Sequence, residues 1–162
     1  MSRGILIDPI DQIRAAIVAD AGVLAVITAQ PVSASARAYS ERLPSDFVVS
    51  PLATAAQKPE LLAPTILLVG GGGVAYERGL ISQPRYELRA YAPTATQARE
   101  LCYLALNAIN ERAIYEDGRV LCYVSFAGDM GGTMPILSVD PDTGTPYYYA
   151  FFGATVYAGQ GG

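Results

Sequence analysis

Arg85-Tyr86-Glu87-Leu88-Arg89-Ala90-Tyr91 and, after Ala92-Pro93, Thr94-Ala95-Thr96-Gln97-Ala98-Arg99-Glu100-Leu101 form the stretch on which the fold turns. The first seven residues alternate. Tyr86, Leu88 and Ala90 fall on one side and Arg85, Glu87, Arg89 and Tyr91 on the other, the period-two signature of a half-buried antiparallel strand. The charged row is expected to face solvent or a partner. Pro93 stops the strand, and Thr94 with Gln97 three residues on has the spacing of a reciprocal capping box. Ala98, Leu101, Cys102, Ala105, Ala108 and Ile109 then recur on one face, which predicts an amphipathic helix over about Thr94–Ala113. Leu104 and Leu106 widen that stripe enough to meet a second surface.

Downstream, Asp117-Gly118 supplies a tight turn into a strand at Arg119–Phe126. Gly128, Gly131 and Gly132 mark a loose connection, Met134–Val139 reads as a further strand, and Pro141-Asp142-Thr143-Gly144 closes it. The last strand, Tyr147–Tyr157, sets Tyr147, Tyr149, Phe151, Thr155 and Tyr157 against Tyr148, Ala150, Phe152, Ala154 and Val156. Both of its faces are apolar, as expected of a strand that packs on its own helix and also on a neighbouring subunit.

Upstream, Asp8-Pro9-Ile10-Asp11 carries helix-start chemistry: an Asp able to cap, Pro at the first helical position, and a second acid in the first turn. Ile10, Ile13 and Ile17 follow at helical spacing, Gly22 interrupts, and Val23–Ile27 adds a short turn of helix before Pro31. Arg37–Tyr39 reads as a short first strand. Ser40–Pro64 contains four prolines and only Phe47-Val48-Val49 of strand character, which predicts an arm reaching a neighbour. Thr65–Val69 is a continuous apolar run suited to a buried strand. The glycines Gly70–Gly73 behind it read as a flexible hairpin connection. Gly70–Ala75 also fits the glycine pattern of dinucleotide sites, but no helix pattern follows, since Gly79 and Pro84 interrupt Tyr76–Pro84.

The sequence therefore predicts one α+β domain: a small, mostly antiparallel β-sheet of four to six strands packed against two main α-helices. At 162 residues such a domain needs no disulfide or metal to hold it together. Cys102 and Cys122 are read as small core residues. Apolar residues make up 51% of the chain against 16% charged, more than one small core needs, so some apolar surface is expected between subunits. The N-terminal residues Met1–Asp8 have only a three-residue apolar stretch, and no run approaches the ~18 residues that span a bilayer, so a cytosolic, membrane-free protein is expected.

Chemistry is sparse. The chain has no histidine, which removes the commonest general base and metal ligand and every Ser-His or Cys-His nucleophile pair. Asp117, Asp129, Asp140 and Asp142 each sit beside Gly or Pro, where Asp serves turns. Asp140–Gly144 opens like a calcium loop but lacks the third acid and the closing Glu. A net charge of −4 with dispersed Lys and Arg argues against tight phosphate binding, and eleven tyrosines without a basic groove are read as core or interface. The expectation is a non-enzyme without cofactor or metal.

The order of elements, with Tyr86–Tyr91 followed by Thr96-Gln97-Ala98-Arg99-Glu100-Leu101 as its closest part, resembles the tail terminator, or tail-completion, proteins of long-tailed bacteriophages. The resemblance implies a virion protein assembled in the host cytoplasm: a homo-oligomeric ring, typically hexameric, at the head-proximal end of the tail. Such a ring stops tail-tube polymerisation, binds the tail tube protein and the head-tail connector, and lets DNA pass through its lumen without specific binding. It implies a subunit and tail interface drawn from Phe47, Val48 and Val49 in the arm, Tyr76, the row Arg85, Glu87, Arg89 and Tyr91, the loop residues Met130 and Met134, and Tyr147, Tyr149 and Phe151. The alternatives are another neck component, a connector or adaptor, and a small α+β module holding a nucleotide at Gly70–Ala75.

Overall fold

A computed structural model describes residues 7–28, 37–43, 64–76, 81–126, 132–141 and 145–157, with the backbone alone at 75–76. In chain order the elements are α1 (Ile10–Val18), α2 (Ala21–Ile27), β1 (Ala38–Ser40), β2 (Thr65–Tyr76), β3 (Ile81–Tyr91) and α3 (Ala95–Ile109). They continue with β4 (Ala113–Glu116), β5 (Arg119–Ser125), β6 (Ile136–Val139) and β7 (Pro146–Tyr157).

Local chemistry sets the helix ends. The Asp8 carboxylate accepts from the Ile10 N–H at 3.1 Å, so α1 starts one residue after Pro9, which itself occupies the cap. The break expected at Gly22 falls instead at Ala19-Asp20, because the Asp20 side chain accepts from the Val23 N–H at 3.0 Å and caps α2. Thr94 accepts from the Gln97 N–H at 3.3 Å, half of the reciprocal box. At its other end α3 stops at Ile109 rather than near Ala113. Asn110 is extended and Glu111 takes φ +49°, a left-handed turn made without glycine, and the chain enters β4.

β7 organises the sheet. One of its edges pairs along its length with β3, from Tyr147 opposite Tyr91 to Tyr157 opposite Ile81. The other edge holds two strands end to end: β6 against Pro146–Tyr149 and β5 against Gly153–Val156. The order is β1-β2-β3-β7-β5-β4, with β6 beside β7. β1 lies parallel to β2, and every other pairing is antiparallel. Register shifts between Gly70 and Gly73 and between Ile114 and Tyr115 each insert an extra residue, which kinks the strand and increases its twist.

Among the described residues α1 and α3 pack on one face of this sheet, and α2 packs against both helices. Their buried residues Ile13, Ile17, Val23, Ile27, Leu101, Cys102, Ala105 and Ile109 meet Ile66, Leu68, Tyr86, Leu88, Ala90, Cys122, Val124, Ala150, Phe152, Ala154 and Val156. Each fully buried aliphatic or aromatic side chain contributes about 1.5–3 kcal/mol. Phe152 anchors the centre, with Tyr86 at 5.5 Å and Phe126 at 5.6 Å between ring centroids.

The architecture corrects the sequence expectation of a small, mostly antiparallel sheet of four to six strands with two main helices. Among the described residues the protein is mostly β, with 47% in strands, three helices, and a curled mixed sheet of six to seven strands that forms a half-barrel. Three local misreadings account for the difference. The glycine run is strand rather than connection: β2 continues through Gly70–Gly73 to Tyr76, and β3 begins at Ile81 rather than Arg85. β4 starts at Ala113, where the expected helix ends, and fills Ile114–Glu116, for which the sequence predicts no element. β1 joins the sheet in parallel, which makes the sheet mixed. Tyr91, expected in the outward charged row, is instead buried beside Tyr147. Leu106 is core, while Leu104 stays partly exposed.

Candidate functional site: the helix-free face of the sheet

Strand pairing aligns the side chains opposite the helices into rows. One row runs Tyr39, Leu67, Arg89, Tyr149, Ile136 across β1, β2, β3, β7 and β6. Beside it on one side lies Thr65, Tyr91, Tyr147, Ser138, and on the other Val69, Glu87, Phe151. Arg85 follows at the next position, opposite Gly153. The Arg37 Nε donates to the Thr65 hydroxyl at 3.0 Å and ties β1 into the first of these rows.

An aromatic file runs along β7. Tyr91 and Tyr147 lie 5.0 Å apart between centroids, Tyr147 and Tyr149 6.1 Å, and Tyr149 and Phe151 6.0 Å, the last pair edge to face. These separations lie in the favourable range for offset and edge-to-face ring pairs. Two guanidinium groups rest on the file: Arg89 5.7 Å from the Tyr147 ring and Arg85 5.6 Å from the Phe151 ring. Glu87 sits between them and accepts from the Arg89 Nε at 2.6 Å. That hydrogen bond holds the Arg89 guanidinium more firmly protonated than an ordinary arginine, against the opposing effect of partial burial. Burial pushes the Tyr91 phenol up, with Arg89 pulling the other way.

At the file's edge the chain is pinned to β7 before β6 begins. The Thr133 N–H donates to the Phe151 carbonyl and the Thr133 hydroxyl accepts from the Phe151 N–H, both at 3.0 Å. β6 then presents Ile136, Leu137 and Val139, all about half exposed, after Met134 at 71% exposure. Edge strands with apolar side chains on both faces are ready sites for pairing with another chain.

Of the residues proposed from sequence, Arg85, Glu87, Arg89, Tyr91, Tyr147, Tyr149 and Phe151 share this one face, and Met134 stands at its rim. Tyr91 contributes from beneath, being buried. Tyr76 closes β2 opposite Ile81, away from the aromatic file, and its side chain lies outside the described residues. Phe47, Val48, Val49 and Met130 also lie outside them. Sequence reasoning missed Tyr39, Leu67 and Ile136, which join the row through Arg89. Nothing in a three-residue strand or in the run Ile136-Leu137-Ser138-Val139 signals which side faces out.

The face is suited to adhesion. Rings and arginines over a sheet face bind by burial and stacking. Among the described residues no group of three His, Cys, Asp or Glu side chains is placed to hold a metal ion. Cys102 and Cys122 are buried in the core with thiols pushed up to about 12 by burial, far from the thiolate a nucleophile needs. The glycine run lies inside a strand paired antiparallel with β3, not at a strand-to-helix turn where backbone amides cradle a pyrophosphate. Among the described residues no helix is long and apolar enough to cross a membrane. No family model matches the chain, and no curated protein matches it.

Proposed function

We propose that the chain is a structural protein of a long-tailed phage particle, a tail terminator whose copies close into a ring at the head-proximal end of the tail. In that role the ring ends tail-tube polymerisation and offers the joining surface for the head connector, and DNA passes through its lumen without specific binding. The observation that carries this reading is the helix-free sheet face, where Tyr147, Tyr149 and Phe151 run in file under Arg85 and Arg89 beside the exposed apolar strand β6. Aromatic residues, Met and Arg are the types enriched in interface cores. A ring needs a heterologous contact in which one patch meets a different patch on the next copy. Stable contacts of this kind bury about 800 Å² per partner. An aromatic face continued by an apolar strand edge supplies one such patch, and the net charge of −4 is compatible with a lumen that repels DNA.

The test is to mix the purified protein with tail tubes of the same phage and image them by negative stain. The expected result is a ring with a central hole at one end of the tubes, lost in the Tyr149→Glu, Phe151→Glu double variant. Bare tube ends with the wild-type protein overturn the reading. Retention on the portal complex instead of the tube reassigns the protein to the connector side of the neck.

A further inference from the structure

The glycine run that the sheet-face reading leaves unused borders a hollow of about 540 Å³. Its walls include Pro84, Ile7 and Val74, with Gly72 and Gly73 along one side and the buried Tyr86 behind them. A Cβ at Gly72 would meet nothing within 4 Å, so a side chain there would stand free in the space beside the bulge. Two carboxylates flank this space. Asp8 lines it, and a Glu41 oxygen lies 3.3 Å from where a Gly70 Cβ would be. Asp8 spends one oxygen, Oδ1, on both the Tyr86 hydroxyl at 2.8 Å and the Ile10 N–H at 3.1 Å. Its Oδ2 has no hydrogen-bond partner among the described residues. Arg85 contributes to the wall, but its guanidinium is turned to the Phe151 ring on the opposite face of the sheet, 5.6 Å away. The two carboxylates act on the same ground: burial first, then the hydrogen bond and charge of Asp8, and also the charge of Glu41, hold the Tyr86 phenol far above its ordinary value.

We infer that this hollow takes a cation carried on an apolar stem, the ammonium or guanidinium of a Lys or Arg side chain from a protein partner. The stem lies along Ile7, Pro84 and Val74, and the charge meets Asp8 Oδ2 and Glu41. Such side chains bury their methylenes on apolar surface while the charged head reaches a polar rim. The site is independent of the ring contact, because Tyr86 and Asp8 lie on the helix-covered side of the sheet.

The experiment uses the full chain, labelled with ¹⁵N, and phenethylamine as the probe. Titration to millimolar concentration is expected to shift the backbone amides of Gly70–Gly73, Val74 and Tyr86. Hydrocinnamate, of the same shape with a negative charge, is expected to leave them in place. Asp8→Asn keeps the Oδ1 acceptor for Tyr86 and Ile10 while removing the charge, and Glu41→Gln removes the second charge without touching those bonds. Each is expected to weaken the amine by about threefold to fivefold, the scale of a partly exposed ion pair. Equal shifts with the anion, unchanged affinity in both variants, or no shift at all overturns the inference. None of these outcomes bears on ring formation.

Discussion

Substituting Gly73 by alanine distinguishes a strand that runs through the glycines from a loose connection. Gly73 has φ +136°, a region essentially restricted to glycine, and sits opposite Pro84 where β2 carries its extra residue. An added Cβ would fall on the Gln83 carbonyl oxygen and 2.5 Å from the Pro84 Cα, both backbone atoms of the paired strand that cannot swing aside. The backbone conformation alone costs about 1–3 kcal/mol and the forced separation a further 1–3 kcal/mol or so. Gly73→Ala should therefore lose about 3 kcal/mol or more. For a chain of this size that lowers Tm by roughly 6–12 °C. Gly72→Ala is the control: its φ of +83° carries the left-handed cost of about 1–2 kcal/mol, but its Cβ meets nothing. Urea unfolding followed by far-UV circular dichroism compares the two. Gly73→Ala no worse than Gly72→Ala refutes the bulged hairpin.

Tyr86→Phe removes the hydroxyl that joins the core to the start of α1 through Asp8 and should cost about 0.5–1.5 kcal/mol, measured by urea denaturation. A double-mutant cycle with Asp8→Ala should return a coupling of about 1 kcal/mol, and additive losses contradict the contact. The thiols of Cys102 and Cys122, pushed up to about 12 from 9.0, titrate later in the folded chain than in the unfolded one. Their contribution to stability is complete below pH 9 and declines as pH rises from there towards 12, by about 1.4 kcal/mol per pH unit for each thiol. Urea midpoints should accordingly fall between pH 8.5 and pH 10.5 and fall less in the Cys102→Ala, Cys122→Ala variant, after comparison at pH 7; equal slopes refute the assignment. Below pH 9 both cysteines should react with a thiol reagent only at the rate of unfolding.

The parts of the fold written in local chemistry were legible. Alternation at Arg85–Tyr91 and Tyr147–Tyr157, the stop at Pro93 and the cap at Thr94 all describe contacts within a few residues, and the structure has each of them. The expected α+β layout failed where pairing across the chain overrides local signals. Four glycines have poor strand propensity, yet β3 supplies partners for the run and the bulge absorbs the extra residue. The predicted helix runs past the observed end at Ile109 because Glu111, not a glycine, makes the left-handed turn. The parallel β1 has three residues and no pattern of its own. Most of the sheet-face residues were legible because period two sorts them onto one side. Tyr91 misled because sequence gives its side but not that Tyr147 would cover it.

In the proposed ring the helix-free sheet face joins copies of this chain, and light scattering on the purified protein over a concentration series tests that directly. The wild-type protein should reach a molar mass that is a multiple of 17.1 kDa, and the Tyr149→Glu, Phe151→Glu variant should stay at 17.1 kDa with unchanged circular dichroism. A wild-type protein that remains at 17.1 kDa at every concentration, or a variant that assembles as the wild type does, contradicts it.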